Sequence, residues 1–384
     1  MDVTLKVLAV GDPAVNVYID QRYAIIPEYR KKTGIKVDFD IVPWVDYYFT
    51  MMESFEGKRN YDIVMVAGHL WSGDFVDKGY IAEVRYPCDH DYDMHDILPA
   101  IMEEMKVGNS TFLYPSFCDG HIILYRKSVV DKVLKCQIGS VLTTDELISA
   151  VKAVHGMDGM WGIVLKAHPS EIFLDVLPYL RNEGIDAFDH GTHVPGFNNE
   201  KGLAGLEKYL SLRAYAPDDT GCYGNDEVRS AFQMKKSVFA VTWGGQLGTV
   251  MDDRCCEPWD IGFASFKTPW NVTWSFAINA KSEKWEEANA FLAYLTTGRV
   301  DRIVGSYAGP PVRMSTYQLD SERFPWYMTH LEMIRDHAKP LPKMINAGNK
   351  LSHLYSQLSQ AFENRKSAAN ALLDAESAIR SIGD

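Results

Sequence analysis

One short turn, Trp243-Gly244-Gly245-Gln246, combines residue types that suit the binding of a small molecule. The two glycines allow the backbone to approach a ligand closely, and Trp243 supplies a flat aromatic face. The amide of Gln246 both donates and accepts hydrogen bonds. The turn comes after a β-branched run at 237–242 that predicts a strand. We therefore predict that the turn contacts a ligand, and the alternative is an ordinary turn between a strand and a helix.

A second candidate region lies at residues 112–127, where Asp119 and Gly120 separate two β-rich runs. The pair Asp-Gly is typical of sharp turns, so the sequence predicts a turn at 117–120 between two extended segments. One α/β unit precedes this region and another comes after it, which predicts a crossing between two lobes. Because small-molecule sites are common where two domains meet, we expect Phe117 and Asp119 to face a ligand. An ordinary turn with a packed phenylalanine is the alternative.

The first hundred residues alternate between the hydrophobic periods of strands and of helices. Strands are predicted at 4–10, 35–42 and 60–66, and helices at 15–32 and 44–55. This alternation predicts an α/β lobe in which ligands bind beyond the carboxyl ends of parallel strands. The loops after the three strands should therefore meet at one edge, although packing within a helix is the alternative for Trp44. These loops carry the candidate residues Asp12, Asn16, Trp44, His69 and Trp71.

The second half of the chain adds further strands and helices. Strands are predicted at 161–165, 261–266 and 274–278, and the tail from 324 to 382 is predicted to be almost wholly helical. Aromatic and acidic residues on or next to these elements are further candidates for binding a ligand: Trp161, Glu171 and Trp274.

Length, charge and motifs exclude several classes of protein. The chain has 384 residues, which suits two domains or lobes better than a single core. Its net charge of -12 disfavours nucleic acid or an anionic membrane as the main partner. No run of about 18 apolar residues is present, and the first residues lack the pattern of a signal peptide. We therefore expect either a cytosolic protein or one whose export segment has been removed. No G-x-S-x-G elbow, Walker loop or G-x-G-x-x-G loop occurs, which disfavours acyl hydrolases, nucleoside triphosphatases and Rossmann dehydrogenases.

Taken in order, several segments resemble a single family. They are YDIVMVAGHLWSGDFVDKGYIAEV, PSFCDGHIILYRK, SVFAVTWGGQ, INAKSEKWEEANAFLAYLTTGRV and GSYAGPPVRMS. Their order and spacing, with the Gly-Asp-Pro loop after the first strand, resemble the extracellular solute-binding proteins of carbohydrate ABC importers, solute-binding family 1. The resemblance covers nearly the whole chain, from Val3 to the helical tail.

The resemblance implies an α/β protein with the two-lobed, type II periplasmic-binding-protein-like fold, in which discontinuous lobes are joined by a hinge. The implied lobes are 1–115 with 268–312, and 116–267 with 313–384. A carbohydrate, expected to be an oligosaccharide, would bind in the cleft between the lobes, which would close on it and present it to the permease subunits of an ABC transporter. The implied setting is a bacterial lipoprotein outside the cell or in the periplasm. It would act as a monomer without a cofactor, a metal or catalytic residues.

A carbohydrate has C–H faces that stack on aromatic rings and hydroxyls that pair with polar side chains. The resemblance adds Tyr307 and Arg313, and Arg313 either binds hydroxyls or fixes the hinge through a carboxylate. Two other functions stay open, namely an enzyme that cleaves carbohydrates with paired carboxylates and a receptor for a metal ion or a polyamine on the same fold. The expected ligand-binding residues are Asp12, Asn16, Trp44, His69, Trp71, Phe117, Asp119, Trp161, Glu171, Trp243, Gly244, Gly245, Gln246, Trp274, Tyr307 and Arg313.

Overall fold

The structure is a computed structural model that describes residues 3–88, 91–135, 137–307 and 309–382. In chain order its first elements are β1 (Thr4–Val10), α1 (Pro13–Ile19), α2 (Ile25–Thr33), β2 (Lys36–Val42), α3 (Trp44–Glu56), β3 (Ile63–Ala67), α4 (Gly68–Asp77), β4 (Ile81–Ala82), α5 (Pro99–Glu104), β5 (Lys106–Val107), β6 (Ser110–Thr111) and β7 (Leu113–Arg126). The next are α6 (Lys127–Leu134), β8 (Val141–Leu142), α7 (Thr144–Val154), β9 (Trp161–Val164), α8 (Ile172–Asn182), α9 (Glu200–Ser211), α10 (Asn225–Gln233), β10 (Ser237–Trp243), α11 (Leu247–Val250), β11 (Ile261–Phe266) and β12 (Trp270–Asn279). The last are α12 (Trp285–Leu295), α13 (Gly298–Tyr307), α14 (Met314–Asp320), α15 (Tyr327–Glu332), β13 (Lys339–Pro340), α16 (Ala347–Phe362) and α17 (Ala368–Ile382).

Strands β7 and β12 each run from one compact unit of the chain into the other. The first unit comprises Met1–Asp119 and Val272–Tyr327, and the second comprises Gly120–Asn271 and Met328–Asp384. Each unit therefore combines segments that are far apart in the sequence.

The sheet of the first unit is built around β1. This strand lies between β2 and β3 and is parallel to both. All residues of β3 are buried, as is typical of a parallel strand that is covered on both faces. β12 is antiparallel to β3, and Trp274 pairs with Ala67 at the end of β3. The carboxyl ends of β1, β2 and β3 therefore lie at one edge, which confirms that the loops after them share it.

The helix predicted at 15–32 is two helices, α1 and α2. The carboxylate of Asp20 accepts hydrogen bonds from the backbone N–H and the guanidinium of Arg22, which fixes a turn after α1. Ala24 then has a φ of 53° immediately before α2. Residues 20–22 of this turn are polar, but Tyr23 and Ile26 continue the helical spacing of the apolar positions, so the hydrophobic pattern does not reveal the break.

The sheet of the second unit is built around β10. This strand is parallel to β9, with Ser237 opposite Trp161, and antiparallel to β7. β11 pairs with β7, and β8 pairs with β11. Because β9 and β10 are parallel, their carboxyl ends, at Val164 and Trp243, lie at the same edge of this sheet.

The turn predicted at 117–120 is wrong, because β7 passes through it as one continuous strand of 14 residues. Gly120 is required at this position of the strand for steric reasons. A Cβ at Gly120 would lie 2.4 Å from Cε of Met333 and 3.1 Å from the carbonyl oxygen of Trp270. The absent side chain lets β7 pack closely against these neighbours, so this glycine permits close packing and not a turn.

Two of the predicted lobe boundaries differ from the unit boundaries by a few residues. Residues 116–119 belong to the first unit, where the Ser116 hydroxyl is hydrogen-bonded. Residues 268–271 belong to the second unit, where the indole N–H of Trp270 donates to the carbonyl oxygen of Leu174 at 2.8 Å. Both corrections fall inside strands, and sequence patterns do not mark a domain boundary within a strand.

The largest correction concerns residues 313–327, which belong to the first unit and not to the lobe predicted for them. Buried contacts hold this segment there. The Arg313 guanidinium donates to the carbonyl oxygens of Thr296 and Asp93, at 2.9 and 2.8 Å. These contacts join parts of the chain that are far apart in sequence, which explains why the boundary could not be predicted.

The tail beyond these segments is mostly helical, as predicted. It contains α15, a π-helical turn at Met333–His337, α16 and α17. Helix α16 packs against α8 and α17 in the second unit. Among all the described residues, no helix has both the length and the apolar character needed to cross a membrane.

Candidate functional site

Four aromatic side chains of the first unit, Trp44, Trp71, Phe117 and Trp274, lie together and are called the aromatic cluster here. Trp44 begins α3 directly after β2, and Trp71 lies in α4 directly after β3. The ring centroids of Trp44 and Trp71 are 5.7 Å apart, and their planes differ by 27°. Trp274 lies edge-on to both, at 6.1 and 6.4 Å, and nearly parallel to Phe117 at 6.4 Å. These separations are those of favourable aromatic pairs, so four of the predicted residues form one group.

The aromatic cluster has a buried base and an exposed side. Phe117 is fully buried and Trp71 is 7% exposed, whereas Trp44 is 45% exposed. Tyr48, one helical turn beyond Trp44, is 49% exposed, and its ring centroid lies 5.7 Å from that of Trp71. The rings of Trp44 and Tyr48 are therefore open to a flat apolar surface, while the buried indole of Trp71 holds them in place.

Three further predicted residues come after the strands of this sheet. Burial lowers the pKa of His69 to about 3, so its imidazole is neutral at neutral pH. Its Nδ1 has no hydrogen-bond partner among the described residues, which leaves it able to pair with a hydroxyl. Asp12 caps α1, since its carboxylate accepts from the N–H of Ala14 at 2.7 Å, and Asn16 is exposed on the same helix.

Ionisable side chains occupy the carboxyl-end edge of the sheet in the second unit. We call His121, Lys166, Glu171, Asp175 and Trp243 the polar cluster. Lys166 Nζ lies 3.7 Å from the centroid of the Trp243 ring and 3.9 Å from Glu171 Oε2. Nε2 of His121 lies 3.0 Å from Oδ1 of Asp175. The other oxygen of Asp175 accepts from the backbone N–H of Lys166 at 3.1 Å, so the members are linked to one another.

Burial shifts the pKa values of two members of the polar cluster. It raises the pKa of the Glu171 carboxyl, although the nearby Lys166 ammonium opposes this effect. It lowers the pKa of His121, although the hydrogen bond to Asp175 opposes this effect. In both cases desolvation of the charged form is the larger cause of the pKa shift.

The turn after β10 is held by contacts within the second unit. Gly244–Gln246 form a buried 3-10 helix. The amide oxygen of Gln246 accepts a hydrogen bond from Arg229, so this polar group is already engaged. Lys166 covers one face of the Trp243 ring, and the ring of Trp270 stands edge-on at 5.2 Å. Trp243 is therefore less open for stacking than the sequence predicts.

Trp161 does not join the polar cluster. It begins β9, pairs with Ser237 at the start of β10 and has its ring 5.5 Å from that of His155. It therefore lies at the amino-terminal edge of this sheet, whereas Trp243 lies at the carboxyl-terminal edge. Its position does not support the predicted contact with the same ligand.

The remaining predicted residues lie in the first unit. Arg313 is buried above the ring of Tyr92, with its guanidinium carbon 4.8 Å from the ring centroid, and donates to the carbonyl oxygens described above. Of its two predicted roles, these contacts favour support of the surrounding structure over binding of hydroxyls. Asp119 is buried within β7. Tyr307 is the last residue of α13, and the predicted role of its side chain lies outside what the structure describes.

Four residues of the site are not among the expected ligand-binding residues: His121, Lys166 and Asp175 of the polar cluster, and Tyr48 beside the aromatic cluster. Tyr48 lies one helical turn after Trp44, and Asp175 has the same spacing from Glu171, so helical periodicity could have found both. Lys166 comes directly after the predicted strand at 161–165. The rule that ligands bind beyond the carboxyl ends of parallel strands would have selected it.

Solved structures with bound sugars or polyols match this fold along its whole length. Maltose-bound MalE3 of T. maritima has a TM-score of 0.86 and 18% identity, and the match covers 99% of this chain and 100% of that one. A D-mannitol-bound solute-binding protein of Agrobacterium vitis has a TM-score of 0.83 and 19% identity, with 99% and 98% coverage. A ribitol complex from Agrobacterium radiobacter has a TM-score of 0.84 and 18% identity, with the same coverage. These matches confirm the predicted α/β class and the fold of two-lobed solute-binding proteins.

The model of the family described as bacterial extracellular solute-binding protein matches residues 18–298. The chain belongs to this family, which confirms the resemblance and implies an extracellular or periplasmic location. The mannitol-binding protein of Pseudomonas aeruginosa is 24% identical over 272 residues, which cover 66% of this chain and 61% of the relative. The erythritol/L-threitol-binding protein of Mycolicibacterium smegmatis is 21% identical over 364 residues, which cover 83% and 72%.

Proposed function

We propose that the protein binds a sugar or polyol and presents it, unchanged, to the permease of an ABC importer. The observation that carries the proposal is the half-exposed pair of rings, Trp44 and Tyr48, at the ligand-binding edge of a parallel sheet. Membership of the solute-binding family and relatives named for mannitol and for erythritol or L-threitol support this ligand class.

Each cluster offers one of the two kinds of contact that sugars and polyols make with proteins. Stacking of C–H groups on Trp44 and Tyr48 removes apolar surface from water. The carboxylate of Glu171 accepts hydrogen bonds from hydroxyls, and the ammonium of Lys166 donates to them. Neighbouring side chains hold Glu171 and Lys166 in place before any ligand binds, which reduces the conformational entropy lost on binding.

The proposal includes no covalent step, and a carbohydrate-cleaving enzyme is its main competitor. Glu171 and Asp175 place two carboxylates in the polar cluster, which is the residue pair that a glycosidase uses. We expect maltose to be recovered intact after long incubation with the protein, as checked by mass spectrometry. Release of glucose, abolished by Glu171→Gln, would replace the proposal with an enzymatic function.

The permease partner and the membrane anchor are also parts of the proposal. The family name supports transport, since its members are solute-binding proteins. Purified permease in lipid vesicles should hydrolyse ATP faster when the liganded protein is added. If the protein is anchored as a lipoprotein, palmitate supplied to the cells that naturally produce it should become attached to it.

Binding itself is tested by a thermal-shift screen and then by calorimetry. The probes are D-mannitol, ribitol, erythritol, D-tagatose and maltose, with ferric ion and spermidine as controls for the other receptor classes. At a ligand concentration 100 times the dissociation constant, the folded state gains about 2.7 kcal/mol, which raises the melting temperature measurably. A shift with ferric ion or spermidine, and with no sugar or polyol, would contradict the proposal.

A further inference from the structure

Among the buried side-chain atoms that lack a hydrogen-bond partner within the described part of the second unit, three lie on neighbouring residues beside the carboxyl-end edge of its sheet. They are Oε2 of Glu171, Nε1 of Trp243 and Oδ1 of Asn225. Nearly all buried polar groups in folded proteins are paired, because an unpaired group loses its hydrogen bonds to water and gains none. Three such atoms in one region therefore indicate a place where a ligand supplies the missing partners.

These three atoms lie on residues that form a continuous row. Lys166 Nζ lies 3.9 Å from Glu171 on one side and 3.7 Å from the centroid of the Trp243 ring on the other. A Cβ at Gly224 would lie 3.0 Å from Oε1 of Glu171, so the carboxylate packs against the residue that precedes Asn225. The row Asn225, Glu171, Lys166 and Trp243 includes the carboxyl-end edge of β9 and β10.

The unpaired atoms define the groups that a ligand must offer. The oxygens of Glu171 and Asn225 accept hydrogen bonds, and Nε1 of Trp243 only donates. A hydroxyl group donates one hydrogen bond and accepts others, so neighbouring hydroxyls on one carbon chain can satisfy both types of atom. A ligand with donors alone, or with acceptors alone, would leave at least one of the three unpaired.

The charges in the row select against ionic ligands. The ammonium of Lys166 already covers one face of Trp243, so that face is closed to a second cation. The same ammonium is paired with Glu171, and Asp175 adds a second carboxyl group nearby, so the row offers no unpaired positive charge to a ligand anion.

We infer that Asn225, Glu171, Lys166 and Trp243 form a subsite for the hydroxyls of a neutral sugar or polyol, in which Trp243 acts as a hydrogen-bond donor through Nε1 and not as a stacking surface. This inference rests on the proposed function and narrows it. It assigns two residues, Lys166 and Asn225, that are not among the residues predicted from the sequence. It also separates the role of Trp243 from that of Trp44 in the aromatic cluster.

The first test is Trp243→Phe, which keeps an aromatic ring and removes the N–H. Calorimetric titration with D-mannitol, or with whichever of the five probes binds the wild type most tightly, should give about fivefold to tenfold weaker affinity. Trp259→Phe, the same change at a tryptophan of the second unit that is 74% exposed, should leave affinity unchanged. Wild-type affinity in Trp243→Phe would overturn the donor role.

The second test is Glu171→Gln, which keeps the shape of the side chain and removes the charge. Because hydrogen bonds to a carboxylate are roughly twice as strong as neutral ones, affinity should fall about tenfold or more. The matched control is Glu183→Gln, because Glu183 also carries an ion pair, with Lys208 at 2.6 Å, and has a similarly buried side chain in the same unit. Equal affinities in both variants would contradict the inference. Circular dichroism and the melting temperature without ligand show whether each variant is folded.

The choice of a neutral ligand is tested with charged analogues. D-gluconate and D-glucosamine should bind at least tenfold more weakly than the best neutral probe. Tight binding of either would overturn the charge argument. If none of the five neutral probes binds the wild type, the proposed function and this inference both fail. If the wild type binds and the variants behave as wild type, the inference alone fails.

Discussion

The two units carry different chemistry at the same position of their sheets. In the first unit the carboxyl-end edge holds the aromatic cluster, and none of its four members is ionisable. In the second unit the equivalent edge holds the polar cluster, with four ionisable side chains around one indole. The difference arises from the segments that leave the strands. Helices α3 and α4 begin directly after β2 and β3 and place tryptophans near their starts, whereas a loop at 165–171 comes after β9.

The carboxyl-end edge of a sheet can therefore provide either aromatic or polar contacts to a ligand. The aromatic edge attracts apolar surface, and such attraction depends little on salt or on protonation. The polar edge discriminates between ligands by the direction and charge of its hydrogen bonds, which is where larger selectivity is obtained. Substitutions in the two clusters should therefore have different effects on stability, on pH dependence and on affinity.

The largest expected effect is on stability, from Trp71→Ala in the base of the aromatic cluster. The indole is 7% exposed and lies 5.7 Å from the rings of both Trp44 and Tyr48. Removing a buried aromatic side chain leaves a cavity, so the free energy of unfolding should fall by about 3–5 kcal/mol. Urea denaturation monitored by circular dichroism measures this change.

Trp259→Ala is the control for that measurement. Trp259 is 74% exposed, and surface substitutions usually change stability by less than about 0.5 kcal/mol. A Trp71→Ala protein that unfolds at the wild-type urea concentration would show that the aromatic cluster has no structural base. The contrast with the second unit would then have to be explained by the exposed rings alone.

A smaller effect is expected from pH, and it distinguishes His69 of the first unit from His121 of the second unit. His69 has a pKa of about 3 when folded against an ordinary value of 6.5, whereas His121 has a carboxylate partner in Asp175. Between pH 3 and pH 6.5 the imidazole of His69 is protonated in the unfolded chain and neutral in the folded protein. The stabilising contribution of neutral His69 is therefore complete above pH 6.5 and is lost as the pH falls towards 3.

At about pH 5 this loss amounts to at most about 2 kcal/mol. His69→Gln cannot take up the proton, so the drop in stability from about pH 7 to about pH 5 should be smaller than in the wild type. Urea denaturation at the two pH values gives the comparison. A drop of the same size in both proteins would mean that His69 is protonated in the folded state. In that case His69 would not account for any acid sensitivity of the first unit.

The fold was predictable wherever the signal is local. Strands β1 and β11 have the bounds that their hydrophobic patterns predict, because alternation and apolar runs are properties of neighbouring residues. Gly120 shows the limit of such reasoning. A side chain at this position would collide with Met333 and with the backbone of Trp270, which are remote in sequence. The local pattern does not contain this information and therefore predicted a turn.

The candidate site shows the same division. Trp44 and Trp71 were predictable because each comes just after a strand of a recognisable parallel sheet. Lys166 and Trp243 lie together only because β9 and β10 pair in parallel, and that pairing is a tertiary contact. Once it is known, the rule that selects Lys166 at the end of β9 also excludes Trp161 at its start.

The smallest expected change in free energy, and the most direct comparison of the clusters, comes from Trp44→Ala. Trp44 is 45% exposed, so the variant should fold with nearly wild-type stability. Losing one stacking ring should lower the affinity for the neutral probe that binds most tightly by roughly threefold to tenfold. Phe49→Ala, at a residue of the same helix that is 68% exposed, is the control and should bind normally. Because stacking does not distinguish charged from neutral ligands, Trp44→Ala should lower the affinities for D-mannitol and D-gluconate by the same factor. Glu171→Gln should instead reduce the ratio of the affinity for D-mannitol to the affinity for D-gluconate. If both variants changed this ratio equally, the aromatic edge would contribute to selectivity as much as the polar edge does.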